Sequence, residues 1–221
     1  MNILAVDTST PQVTAGIVQV SDDGRELTTL AQQLHLDARA HNEVLVPLIQ
    51  QALADSGLAA NDLGGVVVGC GPGPFTGLRV GMATAASYAD ALGIPCHGIC
   101  SLDALASDTS DELVVTDARR REVYFTAYRG GQRIFGPAVA KPADVIGLIT
   151  AEIPDFAPVQ ARGSVKHIEQ IDGLNLQDTE VVEVLPTPES LVRVADLDAT
   201  PSPLVPLYLR RPDAVVPKAM R

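Results

Sequence analysis

Two aspartates in this sequence stand where an α/β protein would place a ligand. Asp7 ends the apolar run NILAVD, and Asp117 ends a second apolar run within DELVVTDA. Strand ends are where open α/β sheets commonly bind ligands, and carboxylates on opposite walls of a cleft can hold Mg²⁺ and phosphates. The sequence therefore allows a nucleotide-binding cleft at these two residues, although aspartates in surface turns are commoner than ligands.

A glycine-rich loop, GCGPGPFTGLRVG at residues 69–81, is a second candidate for phosphate binding. A P-loop needs a lysine after its last glycine, but here Gly77 is followed by Leu78 and Arg79. The pattern G-x-G-x-x-G fails as well, because position 76 is threonine. Free N–H groups at the start of the next helix would still bind an anion. A tight turn between a strand and a helix is the favoured interpretation.

The remaining polar residues form no recognisable catalytic or metal-binding pattern. The four histidines include no H-x-x-x-H or H-E-x-x-H pair, and no serine lies in a G-x-S-x-G elbow. Cys96 and His97 are adjacent in a predicted strand, so their side chains point to opposite faces. Three cysteines without a C-x-x-C pair indicate reduced, buried thiols.

Composition narrows the class of protein. The chain has 221 residues, enough for one large domain or two small ones. Its net charge of −11 argues against direct, primary nucleic-acid binding. The N-terminus lacks the basic region of a signal peptide, and no apolar run approaches the length of a membrane span. These features predict a cytoplasmic protein.

The aspartates and the glycine loop must be positioned by an α/β framework in two halves. The first half is predicted to hold an antiparallel meander, an amphipathic helix that Pro47 kinks or breaks in its first turn, a buried strand and a second helix. The second half has the same rhythm, with a hairpin turn at Gly130-Gly131 and a helix start at Thr187-Pro188. The predicted strands are 2–7, 13–20, 27–35, 64–70, 96–100, 111–118, 122–128, 132–136, 157–162 and 180–185, and the helices 40–56, 76–92, 142–151 and 187–197. The domain prediction is 1–100 and 101–205, with 206–221 packing back on the first half and ending in a disordered tail.

Small residues recur along one face of the helix at 76–92. Gly77, Gly81, Ala85 and Ala89 follow one another at intervals of four, and glycine inside a helix costs about 1 kcal/mol relative to alanine. Close packing is therefore expected there, either against the sheet of the same half or against another helix. The apolar face of the helix at 40–56 is its natural neighbour.

Five motifs together resemble one protein family. ILAVDTST at the start, HNEVLVPLI at 41–49, GCGPGPFTGLRVGMATAASYADALGIP at 69–95, DARRREVYFTAY at 117–128 and PLYLRRPDA at 206–214 are similar to the TsaB (YeaZ) family. That family acts in the bacterial synthesis of threonylcarbamoyladenosine in tRNA. The motif at 69–95 is the most specific, and residues 137–205 carry little family signal.

The resemblance implies an α/β, actin-like ATPase fold, ribonuclease-H-like and built from two similar halves. It implies a non-catalytic scaffold that binds and activates TsaD, the relative that modifies adenosine-37 of tRNAs reading ANN codons. The small ATPase TsaE joins the complex, ATP or ADP is allowed at the partner interface, and tRNA is reached only through the complex. Without TsaD such a chain forms a homodimer.

Departures from the catalytic relative support a non-catalytic role. Where TsaD has an H-x-x-x-H metal pair, this chain has Ser101 and Leu105, which cannot replace imidazole ligands. Asp7 is followed by Thr-Ser-Thr-Pro, without the glycine of the superfamily's phosphate-binding turns. The resemblance assigns the two helices to the partner contact, and the predicted interface residues are Leu45, Leu48, Ile49, Ala52, Gly77, Gly81, Ala85 and Ala89.

Three alternatives stay open. An ATPase or kinase-like enzyme would use Asp7 and Asp117, whereas a metalloprotease would need the missing histidine pair. The run Arg119 to Arg121 would reach tRNA, although a solvated hairpin flank is the commoner role and the net charge favours it.

Overall fold

Two five-stranded mixed sheets form the framework of the computed structural model, which describes residues 1–36, 41–108 and 111–210. The first sheet has the order β3-β2-β1-β4-β5, with β1 (Asn2–Asp7), β2 (Gln12–Val20), β3 (Leu27–Leu36), β4 (Gly65–Gly69) and β5 (Cys96–Ile99). The second has the order β8-β7-β6-β9-β10, with β6 (Asp111–Asp117), β7 (Val123–Arg129), β8 (Gln132–Ala140), β9 (Gln160–Gly163) and β10 (Glu180–Glu183). The disordered tail expected after PLYLRR lies outside the described residues.

Both sheets have one topology. In each, the first strand is central, pairs antiparallel with the second strand and parallel with the fourth. The third strand continues the antiparallel meander. The fifth strand continues the parallel part. This repeat is the ribonuclease-H-like, two-halved arrangement of the actin-like ATPase fold, so the predicted fold class is confirmed.

Helices cover the outer face of each sheet. The helices are α1 (His41–Ser56), α2 (Phe75–Leu92), α3 (Val145–Glu152), α4 (Val165–Ile168) and α5 (Pro188–Arg193), with 3₁₀ turns at Ala60–Asp62, Asp103–Leu105 and Pro142–Asp144. The break expected in the first turn of α1 is wrong, because α1 is helical throughout and contains Pro47. Glu43 and Pro47 are both exposed, so solvent can reach the carbonyl that the proline leaves without a donor. Within the described chain, no helix combines the length and apolarity that crossing a membrane requires.

The helix α5 belongs to the first sheet in space although it follows the second sheet in sequence. Its N-terminus matches the prediction, since the Thr187 side chain accepts a hydrogen bond from the Ser190 N–H and Pro188 occupies the first turn. Leu191 and Val192 then pack on the first sheet, in a cluster with Ile3. The proposed boundary at residue 100 therefore separates the strands of the two sheets but not every element that covers them.

The glycine at position 81 allows α2 to lie close to the turn after β1. A Cβ at this position would stand 2.3 Å from Thr8 Oγ1, and that hydroxyl is held by donating to the Gly77 carbonyl at 2.8 Å. Thr8 is fully buried and has no room to retreat. The close approach of α2 to its own sheet therefore requires glycine at this position.

We expect Gly81→Ala to lower the free energy of unfolding by about 1–3 kcal/mol, because a methyl group forced into a packed site strains its surroundings. The matched control is Gly147→Ala in α3, where a Cβ meets nothing within 4 Å. That variant should be neutral or stabilise by up to about 1 kcal/mol. Urea unfolding of both variants checks the prediction, and equal stabilities would contradict it.

Candidate functional site

The Asp7 carboxylate is fully buried at the end of the central strand of the first sheet. One oxygen accepts hydrogen bonds from the N–H and hydroxyl of Ser9, at 2.8 and 2.7 Å. The other accepts a bond of 2.5 Å from the Ser101 hydroxyl. Asp7 therefore fastens the turn after β1 to the segment that leads into the second half. A ligand can reach this carboxylate only if those two serines leave it.

The glycine loop closes over the same carboxylate. A Cβ at Gly69 would stand 1.8 Å from Asp7 Oδ2, and one at Gly73 would stand 2.4 Å from the Ser9 carbonyl oxygen. Ser101 also bonds the loop, since its N–H donates to the Gly71 carbonyl at 2.8 Å. The Leu78 N–H, one of the predicted anion donors, donates to the Pro74 carbonyl at 3.0 Å. These contacts favour the tight-turn interpretation of the loop.

Asp117 occupies the equivalent strand end of the second sheet, but its surroundings differ. Its side chain is 36% exposed and lies 3.4 Å from His167 Nε2. The Arg119 N–H donates to its carboxylate at 2.6 Å. Asp117 therefore anchors the turn between β6 and β7. The vestigial nucleotide role proposed for Asp7 and Asp117 stays a prediction, and the contacts of both carboxylates give each a structural role.

The predicted interface residues face the interior of their own half. Leu45, Ile49, Ala52, Gly77, Gly81, Ala85 and Ala89 are buried, and Leu48 packs against the same core. The small-residue stripe thus lies against the sheet of its own half, which was one of the two possibilities the sequence left open. The exposed side chains of α1 and α2 lie on their outer faces, and the interface assignment stays a prediction. On α2 that face carries Ala83, Ala86, Ser87 and Asp90, all exposed.

A C-terminal strap, residues 207–210, joins the two halves. The Leu207 N–H donates to the Cys70 carbonyl at 2.9 Å, which pairs the strap with the end of β4. At its other end, Arg210 donates to the Ala118 carbonyl at 2.5 Å and forms an ion pair with Glu122 at 3.2 Å. Sequence analysis quoted this segment as a motif without assigning it a role.

The strap also carries one ring of an aromatic stack. The rings of Tyr208 and Phe75 stack with centroids 4.9 Å apart. The Arg79 guanidinium lies 3.9 Å from the centre of the Phe75 ring, and its Nε donates to the Tyr208 hydroxyl at 3.0 Å. The sequence did not predict this group, although aromatic residues make up only 4% of the chain and both rings lie inside the quoted motifs.

The turn after Asp117, which we name the arginine turn, has an unusual backbone. Arg119, Arg120 and Arg121 have φ values of 59°, 52° and 65°, and all three are exposed. Left-handed backbone costs roughly 1–2 kcal/mol per residue for amino acids other than glycine. The Ala118 N–H to Glu122 carbonyl bond of 3.1 Å closes the turn. Asp117 offsets part of this cost by accepting from the first residue of the turn.

The three cysteines are free thiols; Cys70 follows the end of β4, Cys96 begins β5 and Cys100 follows its end. Burial raises the pKa of Cys70 to about 12 and the pKa values of Cys96 and Cys100 to about 11. Cys70, Cys100 and His97 border a pocket of about 380 Å³. Among the described residues, no three His, Cys, Asp or Glu side chains are grouped so that they would hold a metal ion.

Comparison with known families gives one match over most of the chain. Residues 32–178 match the model for tRNA N6-adenosine threonylcarbamoyltransferase, TsaD. An uncharacterized protein of Mycobacterium leprae is 55% identical over 214 residues, which cover 96% of this chain and 55% of that protein. The tRNA threonylcarbamoyladenosine biosynthesis protein TsaB of Bacillus subtilis is 35% identical over 133 residues, 58% of this chain and 56% of its own. The chain thus spans about half the length of these two relatives.

A solved structure supports the fold independently of the sequence. YeaZ from Pseudomonas aeruginosa superposes with a TM-score of 0.68, covering 88% of this chain and 90% of its own, at 23% identity. At that identity the likeness concerns the fold. The sequence relatives confirm the motif-based resemblance to the TsaB family, and the solved structure confirms the fold.

Removing the Asp7 carboxylate should destabilise the fold. Asp7→Ala leaves the buried Ser9 and Ser101 hydroxyls without their acceptor, so we expect the free energy of unfolding to fall by about 2–4 kcal/mol. The control is Asp155→Ala, whose side chain is 76% exposed, with an expected change below about 0.5 kcal/mol. Urea unfolding measures both. A gain in stability on removing Asp7 would instead indicate a ligand carboxylate kept at the expense of the fold.

The thiols should react slowly in the folded chain. A raised pKa lowers the thiolate fraction, and the thiolate is the reactive form. At pH 8 we expect labelling by a thiol reagent to be about 100-fold slower in the native chain than in urea, since a pKa of about 11 leaves about one thiol in a thousand ionised. The native rate should rise about tenfold from pH 8 to pH 9. Equal rates in the folded and unfolded chain would contradict this account.

Proposed function

Since the chain belongs to the tRNA N6-adenosine threonylcarbamoyltransferase (TsaD) family and is similar to proteins named TsaB, we propose that it is a non-catalytic subunit of threonylcarbamoyladenosine synthesis. It binds a catalytic relative, TsaD, and stabilises the active form of that partner. The activity of the complex, transfer to adenosine-37 of tRNA, resides in the partner.

The burial of Asp7 is the observation that carries this proposal. In this fold the strand end that Asp7 occupies is a place for ligands, but here its carboxylate accepts three hydrogen bonds from Ser9 and Ser101. Catalysis at this point would require a carboxylate that substrate or metal can reach. These contacts instead give Asp7 a structural role, which suits a subunit that acts by binding its partner and not by catalysis.

The two positions that correspond to the partner's metal pair support the same proposal. The Ser101 hydroxyl donates to Asp7, and Leu105 is 2% exposed in a core cluster with Val114 and Tyr128 of the second sheet. A serine and a buried leucine supply no imidazole. The chemistry that the resemblance assigns to TsaD therefore has no equivalent ligands at these positions.

The outer faces of α1 and α2 are suited to helix–helix contact with the partner. Ala83 and Ala86 give α2 a flat outer surface, which lets a second helix approach closely. Val46, 40% exposed on α1, adds apolar area. We propose that this surface, called the outer helix face, binds TsaD, and that it binds a second copy of the chain when TsaD is absent. Binding of ATP or ADP at that contact and recruitment of TsaE stay predictions.

A charged side chain on the outer helix face should abolish pairing without unfolding the chain. Ala83→Arg and Ala86→Arg place an unpaired cation in the contact, so we expect at least about tenfold weaker binding to TsaD. The control is Leu148→Arg on α3, where the native side chain is 44% exposed on the second half. Size-exclusion chromatography with light scattering, on mixtures with TsaD of the same organism, measures the complex.

The result that would contradict the proposal is a one-to-one complex of unchanged affinity with both alanine variants. Absence of any complex with the wild-type chain, with or without ATP, would also contradict it. Thermal unfolding of each variant establishes that a lost complex is not a lost fold.

A further inference from the structure

We infer that the aromatic stack and the arginine turn form one binding surface for unpaired RNA. This inference rests on the proposed function, since it names the part of the chain that would contact the RNA substrate of the complex. It goes beyond that function, because the scaffold role alone needs no RNA contact from this chain.

The strap places the two features on one continuous surface. Tyr208 and Arg210 are two residues apart, so their Cα atoms are separated by at most about 7 Å. The Arg210 guanidinium is 2.5 Å from the Ala118 carbonyl oxygen, and Ala118 immediately precedes the arginine turn. An extended nucleic-acid strand spans this separation within a few nucleotides.

The surface is locally basic in an acidic protein. Arg79, Arg210 and the three residues of the arginine turn contribute five cations to this surface, in a chain whose net charge is −11. Asp117 accepts from the Arg119 N–H, and Glu122 pairs with Arg210. All five cations are arginines, whose planar forks bind phosphate oxygens and stack on bases.

The backbone of the arginine turn argues against a merely solvated hairpin flank. Glycine would adopt the same positive φ values without penalty, yet all three positions carry arginine. Strain of this kind persists where the side chains have a use. The inference therefore departs from the interpretation that the net charge favoured at the level of sequence.

The aromatic stack supplies the feature that selects unpaired nucleotides. As whole residues, Phe75 is 37% and Tyr208 38% exposed, so part of the stack is open to solvent. Proteins bind unpaired bases by stacking them on aromatic rings and arginine planes, whereas paired bases stay in their own stack. The expected ligand is therefore a loop or a single-stranded end rather than a duplex.

The test measures binding of a hairpin RNA with a seven-nucleotide loop, and of a fully paired RNA of the same charge, by fluorescence anisotropy. Each titration is done with the chain alone and with its TsaD complex.

Arg119→Ala/Arg121→Ala should weaken hairpin binding at least about tenfold. It should also lower the slope of log K against log salt by about 1.4, which corresponds to two phosphate contacts on a single strand. Tyr208→Ala should weaken it about 5- to 100-fold, while Tyr208→Phe stays near wild type. The control is Arg25→Ala, an exposed arginine in the turn between β2 and β3, which should change nothing.

Wild-type affinity of the hairpin for both the arginine and the Tyr208→Ala variants would overturn the inference. Equal affinity for the hairpin and the paired RNA would overturn it too, since the stack would then have no part in binding. Light scattering on the same samples reports the TsaD complex separately. A missing complex refutes the proposed function, and the titration of the chain alone still decides the RNA surface.

Discussion

A single buried carboxylate connects the parts of this molecule that lie far apart in sequence. Asp7 ends the central strand of the first sheet and accepts from Ser101, 94 residues further on, at the start of the second half. The glycine loop can close over this pair only because Gly69 and Gly73 lack side chains that would overlap Asp7, Ser101 and Ser9. The position of α2 follows, since α2 begins where the loop ends and is bonded to Thr8 through the Gly77 carbonyl. A buried polar group is costly unless it is hydrogen-bonded, and here Ser9 and Ser101 give the carboxyl group three hydrogen bonds.

The burial of Asp7 also explains how the same fold can serve both ligand-binding proteins and non-catalytic subunits. An actin-like fold keeps its ligand site between two halves, at the ends of the central strands. In this chain one strand end is packed shut, and the strap bonds both Cys70 in the first half and Ala118 in the second. The strap thereby connects the two halves. We therefore place the proposed functions on the exterior: the outer helix face for a partner chain, and the surface made by the aromatic stack and the arginine turn.

Much of the framework was predictable because it depends on local patterns. The meander, the apolar strand before the glycine loop and the cap at Thr187 follow from periodicity and turn residues. The interface assignment stays a prediction, and the structure buries those residues against their own half for a related reason. Hydrophobic periodicity identifies the most apolar face of a helix. On α2 that face includes Gly81 and Ala85, and it packs against the chain's own sheet. The hydrogen bond between Arg79 and Tyr208 joins residues that are 129 positions apart in the sequence, so no local sequence pattern predicts it. The structural role of Asp7 could not be predicted either, because the sequence does not distinguish an aspartate that binds a ligand at a strand end from one that accepts hydrogen bonds from serine.

We propose that this chain is required for threonylcarbamoyladenosine formation in tRNA, yet performs none of the chemical steps of that reaction. The direct measurement is threonylcarbamoyladenosine formed on an unmodified tRNA, by mass spectrometry of its nucleosides, with purified TsaD, TsaE, ATP and a threonylcarbamoyl donor. The account predicts no product from this chain without TsaD, little from TsaD without this chain, and full activity when both are present. Equal product from TsaD and TsaE with and without the chain would contradict it, and product from the chain without TsaD would show that its chemistry has been misjudged.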